Sequence, residues 1–399
     1  MISLLTHKTT ITTINKATKY KLRSVAVVTS IHPDFDARIW KHVNSLAERG
    51  IRVEFICPWE RATGVRGANL SVNVFPRVAN RLVRGVLVPW RVLHTLFPRL
   101  SQVDLVHFHD LDLLPWMALL ALFKPVVYDV HENYAEEMLV REWIPKPLRI
   151  PLKRLVQGMH WFFPLFVRNI VIVVPQQETE FTGRGFNVIS LPNYASIKLL
   201  EGYRDDYLTR TDRIIFTGGH YQENGSSLIL EVARRLKKRQ ITVEIWVTDR
   251  FASRDFEKMF RNTIKEELLA IQVVPSVSSS SLMELLNQAT IGLAPNLRVR
   301  KQELAIPTKL FEYMAAGLPI VSSDLPYQQQ LINKHKNGIL AKPEDPDSFV
   351  AAIEKLVQEK ELAQKLGCRG QLAFRECYTW ESQIPRLISL YERMLETEQ

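Results

Sequence analysis

The sequence predicts an α/β protein built from two doubly wound parallel-sheet domains, and three observations carry that prediction. The chain has 399 residues, more than one ordinary core holds, so two domains of about 150 to 200 residues are the natural division. Short apolar runs recur without polar alternation, each followed by a helical pattern, as expected of strands buried on both faces. Residues 306–325, IPTKLFEYMAAGLPIVSSDL, read as a short helix feeding such a strand. Pro307 marks the helix start, Leu310, Phe311 and Met314 share a face, Gly317 offers a left-handed stop, and Ile320 and Val321 open the strand.

Composition sets the outer bounds. With 46% hydrophobic and 24% charged residues, the chain has the make-up of a soluble globular protein. A net charge of +10 and a pI near 9.4 call for an anionic partner, such as a nucleic acid, a lipid leaflet or a phosphorylated substrate. No nucleic-acid-binding motif accompanies the charge, so nucleic acid is set aside. Cys57, Cys368 and Cys377 lie far apart, which implies neither a disulfide framework nor a zinc site and suits a reducing cytosol. Residues 1–22 are rich in Thr and Lys without an apolar core, and read as a flexible leader rather than a signal peptide. No run of about 18 apolar residues predicts a spanning helix.

Residues 24–29, SVAVVT, form the first buried strand. A loop with His32, Asp34, Asp36 and Arg38 follows, then a helix to about residue 49, and residues 51–57 make a second strand. This β-loop-α-β opening predicts a right-handed crossover. It lacks G-x-G-x-x-G and with it the dehydrogenase fingerprint. Polar groups at the carboxyl end of a first strand sit where such sheets bind ligands, and Asp36 is equally well placed to cap the helix. Residues 77–100 mix Arg with Leu, Val, Trp and Phe at near-helical spacing, broken at Pro89, and residues 146–168 repeat the pattern. Such surfaces either rest on an anionic membrane or face the core with snorkelling arginines. Between them, strands 103–108 and 126–130 end in His109 with Asp110 and in His131 with Glu132, so two imidazoles converge on one crevice. H-E-x-x-H is not completed and no third ligand recurs nearby, so no metal is assigned.

Residues 169–174 and 188–191 complete the strands of the first domain, 23–191. Residues 192–212 turn polar and make the linker. Residues 213–217 open the second sheet of a domain spanning 213–376. Gly218 and Gly219, then Asn224 and Gly225, precede a helix from 226 to 239, and such a loop lets backbone N–H groups approach a diphosphate. Strands follow at 241–248, 271–274 and 291–294, with a helix over 275–286. On the helix after Pro307, Lys309 and Glu312 share a face near an N-terminus whose dipole attracts phosphate. That pair is either a solvated ion pair or a nucleotide-sugar cradle, the carboxylate accepting from two ribose hydroxyls and the lysine facing the diphosphate. A helix at 327–333, a strand in NGILA, and helices over 347–366 and 380–395 complete the chain.

The string from Pro307 to Pro319 resembles the donor-site helix of the GT-B glycosyltransferases, most of all family 4 of the retaining enzymes (glycosyltransferase group 1). VVYDVHENY and VHFHDLDLL resemble that family's strand ends. The likeness spans roughly residues 24–396 and implies a GT-B fold, two Rossmann-like doubly wound domains facing across a cleft, with residues 377–399 forming a helix that crosses back to the first domain. It makes Glu312 the ribose-binding residue and Lys309 its diphosphate partner, with Pro307, Thr308, Gly218, Gly219 and Asn224 around the donor. His131 falls beside the transferred sugar with Glu132 near it, and Asp34, Asp36, Arg38, His109 and Asp110 line the acceptor side. Three places depart from the family's pattern. The first loop has D-x-R instead of a glycine pair, Asn224 stands where a basic residue usually pairs with phosphate, and Leu304 replaces a sugar-binding Glu, leaving Glu303 one position off register.

The resemblance implies a metal-independent retaining glycosyltransferase that moves a sugar from a UDP- or GDP-sugar to a hydroxyl acceptor in polysaccharide or glycolipid synthesis. It implies a cytoplasmic enzyme resting on the inner face of the plasma membrane. A nucleotide-sugar epimerase on the same architecture, and a degenerate nucleotide-sugar-binding scaffold, remain open from sequence.

Overall fold

The computed structural model describes residues 21–397, apart from 33–35, 59–66, 79–80, 132, 142–143, 175–176 and 182. The first half contains β1 (Ser24–Val28), α1 (Ala37–Ala47), β2 (Arg52–Pro58), β3 (Leu70–Phe75), α2 (Arg81–Leu96), β4 (Leu105–His109), α3 (Leu114–Leu120), β5 (Val126–Val130), α4 (Tyr134–Val140), α5 (Lys146–Phe162), α6 (Pro164–Val167), β6 (Asn169–Ile172), α7 (Glu178–Phe181) and β7 (Asn187–Ser190). The second half contains β8 (Arg213–Phe216), α8 (Ser226–Lys238), β9 (Glu244–Thr248), α9 (Arg254–Glu266), β10 (Ile271–Val274), α10 (Leu282–Leu286), β11 (Ile291–Ala294), α11 (Arg300–Glu303), α12 (Thr308–Ala315), β12 (Ile320–Ser323), α13 (Pro326–His335), β13 (Gly338–Ala341), α14 (Pro346–Gln358), α15 (Lys360–Cys377) and α16 (Ile384–Thr397).

These strands form two parallel sheets, ordered β3-β2-β1-β4-β5-β6-β7 and β10-β9-β8-β11-β12-β13. The strand order reverses between β1 and β4 and between β8 and β11. Crossovers therefore leave toward opposite faces at those points, opening a crevice at the carboxyl ends where ligands bind.

Strand periodicity decides which face each side chain joins. Leu105, Val127 and Val171 fall on the face covered by α1 and α16, with Leu387, Leu390 and Tyr391 from the latter. Val106, Phe108, Tyr128 and Ile170 fall on the other, under α2, α3 and α5. The last helix thus belongs to the core of the first sheet. Its chain arrives beside the linker: Ala195 and Thr379 form a parallel bridge, Trp380 N donates to Ala195 O at 2.9 Å, and the Trp380 indole donates to Ser45 Oγ at 3.1 Å.

Several elements differ from the sequence reading. The helix in the 77–100 stretch is not broken at Pro89 but runs through it. Pro89 has no N–H, so one backbone donor of the helical ladder is lost there. The helical pattern over 347–366 divides at Glu359, whose φ of −106° and ψ of 68° are not helical. The helix read over 275–286 contracts to α10. Strand β3 and helix α9 carry too weak an alternation or too polar a face to be read from sequence.

Candidate active site

The second sheet supplies one wall. At the end of β8, Thr217 N donates to Tyr313 Oη at 3.1 Å and Thr217 Oγ1 to Glu312 Oε2 at 3.3 Å. Gly218 follows. A Cβ there would lie 2.6 Å from Lys309 Nζ and 2.6 Å from the Phe216 ring, so only glycine lets the lysine reach the loop. Lys309 Nζ sits 4.3 Å over the Phe216 ring and is shielded from solvent without a hydrogen-bond partner among the described residues. Desolvation, against the attraction of Glu312, pulls its pKa down to about 7. Burial pushes the Glu312 carboxyl up, opposed by Lys41, Thr217 and Lys309. The loop is anchored by His220, whose ring nitrogens meet Ser226 Oγ at 3.0 Å and Thr248 O at 2.9 Å and which stacks on Phe251.

Two residues expected to contact donor, Asn224 and Thr308, make supporting hydrogen bonds within the protein. Asn224 Nδ2 donates to Gly219 O at 2.8 Å, and its Oδ1 accepts from Gln302 at 3.0 Å, so the side chain ties the loop. Thr308 Oγ1 accepts from Asn193 Nδ2 at 3.1 Å. Pro307 is the N-cap residue of α12 without a side-chain hydrogen bond. Glu303 ends α11, half-buried, next to Leu304.

The first sheet supplies the facing wall. Thr29 Oγ1 and Ser30 N donate to Asp110 at 2.6 and 2.8 Å, holding that residue at a φ of +76°, a strained backbone for a non-glycine. His32 bridges Asp36 and Asp110, at 3.1 Å from each. Burial works against its charge, but Asp110 and Asp36 outweigh it and hold the pKa at about 10. Asp36 also caps α1, accepting from Arg38 N and Ile39 N at 3.0 and 3.2 Å; it therefore takes the capping role. Its remaining oxygen faces His32. Asp34 and Glu132 lie outside the described residues.

Arg38 and His109 are corrections to the acceptor-side assignment. Both are buried, Arg38 at 6% exposure and His109 at 0%. Arg38 Nη2 lies 3.0 and 3.1 Å from the two oxygens of Asp129, and Nη1 donates to Leu191 O at 3.2 Å. His109 Nδ1 is hydrogen-bonded to His131 Nε2 and lies 3.5 Å from Asp129 Oδ2. They stand behind the wall because α1 packs over the face on which His107, His109 and Asp129 sit. His131 is the member nearest the crevice, its ring 5.4 Å from that of His32. Burial, against Asp129, draws its pKa down to about 4, so it is neutral at pH 7. His42, His107 and His109, and separately His109, Asp129 and His131, bring ligand-type atoms within 4.8 Å of one another. These groups supply the third ligand-type residue that the sequence spacing did not show, while Asp129 already faces the Arg38 guanidinium as its cation.

Lys41 joins the walls, a residue the sequence reading missed. One turn beyond Arg38, its Nζ donates to Asn193 Oδ1 at 2.8 Å and to Tyr194 O. Asn193 in turn reaches Thr308 on α12. Burial and Arg38 lower the pKa of Lys41 to about 7, against Glu312. On the rim, Lys301 Nζ lies 2.9 Å from Glu137 Oε1 on α4 and 3.3 Å from Glu223 Oε1. Lys41 through Asn193, and Lys301 through Glu137, thus tie the first domain to α12 and α11 of the second.

Both halves of the chain are similar to known proteins. Residues 36–187 match the model described as Glycosyltransferase Family 4, and residues 211–359 match that of Glycosyl transferases group 1. The chain is 21% identical over 303 residues to the phosphatidyl-myo-inositol mannosyltransferase of Mycolicibacterium smegmatis, covering 73% of this chain and 72% of that one. It is 27% identical over 214 residues to the amylovoran biosynthesis glycosyltransferase AmsK of Erwinia amylovora, covering 53% and 47%. Among solved structures it resembles the sucrose-phosphate synthase of Thermosynechococcus elongatus, with a TM-score of 0.74 at 14% identity over 94% of this chain and 100% of that one. It also resembles Anabaena HepE in complex with UDP-glucose, with a TM-score of 0.67 at 13% identity over 94% and 99%. With both halves of the chain matched in sequence and the whole matched in fold, this protein belongs to the group 1, family 4 glycosyltransferases of the GT-B fold.

Proposed function

We propose that this glycosyltransferase moves a hexose, with retention of configuration, from a UDP- or GDP-sugar to a hydroxyl acceptor at an anionic membrane surface, in polysaccharide or glycolipid synthesis. The observation that carries the reading is the pairing on α12: a shielded lysine nitrogen without a hydrogen-bond partner among the described residues, touching the Gly218 loop, one turn from a carboxylate. A nucleoside diphosphate completes both. Its diphosphate meets Lys309, the N–H groups of the loop and the positive end of α8, and its ribose hydroxyls donate to Glu312. In the transfer, the bond from the sugar's C1 to the diphosphate oxygen breaks and the electron pair leaves on the diphosphate. The acceptor oxygen bonds to C1 on the same face, and its proton passes to the departing oxygen. Lys309 and the loop stabilise the charge that develops there without a metal, and closure about the 192–212 linker excludes water.

The membrane part of the reading rests on one face of the first domain. Trp90 and Phe97 by α2, Leu122 and Phe123 after α3, and Trp161 on α5 are all exposed, Phe97 to 77% and Phe123 to 85%, among Arg91, Arg99, Lys124 and Arg154. Apolar anchors interleaved with basic residues suit an interfacial position on anionic lipid. No helix among the described residues is long and apolar enough to cross a membrane, and we place the protein on the inner face of the plasma membrane. The names of its relatives, one acting on a phosphatidylinositol and one in amylovoran synthesis, and the UDP-glucose held by HepE are consistent with such donors and acceptors.

The test is a thermal-shift screen of nucleotide sugars followed by transfer assays with Glu312→Ala. Loss of two charge-assisted hydrogen bonds weakens donor binding by about 100-fold. Unchanged transfer by the variant refutes the ribose assignment, and conversion of the donor without acceptor identifies an epimerase instead.

A further inference from the structure

Behind His131 lies a chain of polar side chains that neither the donor nor the acceptor reaches. Tyr391, on α16, has its hydroxyl 2.7 Å from His107 Nδ1 and 3.0 Å from His42 Nε2. His107 Nε2 is 3.4 Å from Asp129 Oδ2. Asp129 is held ionised: burial opposes the charge, but Arg38 and the surrounding histidines keep its pKa well below the usual carboxylate range. His109 Nδ1 faces Asp129 Oδ2 at 3.5 Å and is hydrogen-bonded to His131 Nε2. The other nitrogen of His109, Nε2, is buried without a hydrogen-bond partner among the described residues.

That unpartnered nitrogen fixes where the protons lie. A buried N–H without an acceptor is rarer and costlier than an unused lone pair, so the His109 proton is on Nδ1. There it points into the space between Asp129 Oδ2 and His131 Nε2. Were His131 to donate from Nε2 instead, it would face Asp129 Oδ1 only at 3.9 Å, while His109 would carry an unsatisfied N–H on its far side and present a lone pair to Asp129 Oδ2 at the shorter 3.5 Å. His131 Nε2 is therefore the acceptor, and its one proton is on Nδ1. Farther back, a proton on His107 Nε2 faces the Asp129 carboxylate and leaves Nδ1 to accept from the Tyr391 hydroxyl. Tyr391 thereby locks the His107 tautomer that keeps Asp129 facing a donor.

We propose that Tyr391, Asp129 and His109 are positioning residues that set the tautomer of His131, so that the imidazole presents an Nδ1–H donor at the sugar site while its Nε2 lone pair is turned inward. The C-terminal helix is then part of the active site as well as of the core. The role of the imidazole at the sugar rests on the proposed transfer reaction; its tautomer does not.

The test uses the full-length protein labelled with ¹⁵N-histidine and no substrate. Long-range ¹H–¹⁵N correlation, with the His131 ring assigned by a His131→Gln variant, is expected to show a protonated Nδ1 and a bare Nε2. A protonated Nε2 overturns the proposal. Tyr391→Phe keeps the ring that packs α16 and removes only the hydroxyl. We expect it to shift His131 toward a mixture of tautomers and to lower kcat about tenfold, with donor KM changed less than kcat because the nucleoside diphosphate is held by the other sheet. An unchanged tautomer and kcat in this variant remove Tyr391 from the scheme. If the tautomer is as stated and no donor–acceptor pair turns over, the transfer reading fails and the positioning network stands.

Discussion

Replacing Arg38 with methionine removes the guanidinium from Asp129 and leaves a carboxylate inside the first domain. The two side chains are 7% and 4% exposed, with Nη2 and Oδ1 3.0 Å apart. Breaking such a buried pair from one side costs about 3 to 5 kcal/mol, because the remaining charge must be desolvated alone or take up a proton. His107 and His109 still face Asp129, which puts the expected loss near the lower figure, about 3 kcal/mol. For a domain of this size that corresponds to a fall in melting temperature of about 6 to 12 °C. The deficit depends on pH. In the native protein the Asp129 pKa is depressed, so its contribution is present above the unfolded carboxyl pKa and is lost as pH falls through the folded value. In the variant the folded pKa lies above the unfolded one, so the cost grows with rising pH and is smaller at about pH 5 than at about pH 8. Urea denaturation followed by tryptophan fluorescence at both pH values measures this. Arg38→Met with Asp129→Leu, which removes both charges, regains most of the stability. A loss below about 1 kcal/mol in the single variant, or a double variant no better than the single, refutes the view that D-x-R is an internal support.

Lys309, with a pKa drawn down to about 7 by burial, is mostly neutral at about pH 8. A nucleoside diphosphate recharges it, so binding takes up a proton there. Calorimetry in two buffers of different ionisation enthalpy reads close to one proton for the native protein and none for Lys309→Met. Gly225→Ala places a Cβ 1.9 Å from Pro295 O at a φ of +80° and loses more than about 2 kcal/mol, whereas Gly50→Ala, at +79° with nothing within 4 Å, loses about 1 kcal/mol; denaturation midpoints of the two variants check the contrast. Trp90→Ser with Phe123→Ser and Trp161→Ser lowers sedimentation with anionic vesicles at least tenfold and leaves nucleotide affinity unchanged.

Much of the α12 side of the candidate site was legible because its parts are close in sequence. Lys309 and Glu312 sit one turn apart on α12, and Gly317 stops the helix at a φ of +64°, so local periodicity and capping were enough to find them. The strand ends bearing His109 and His131 were legible for the same reason. The network behind them was not. Arg38 meets Asp129 across 91 residues, Tyr391 meets His107 across 284, and His42 meets Tyr391 across 349. Nothing local distinguishes a buried support from a substrate ligand, so Arg38, His109, Asn224 and Thr308 all read as contacts.

The sequence by itself determined the two parallel α/β layers and which end of each strand carries polar groups, since period-2 and period-3.6 patterns act over a few residues. Only the tertiary structure decided which of those groups face the crevice and which stand behind it. That choice depends on the helices laid across each sheet face, and α16 returns to the first sheet from the far end of the chain. Burial is a property of the assembled layers: the same Arg or His is a ligand when the face is open and a strut once α1 and α16 have covered it.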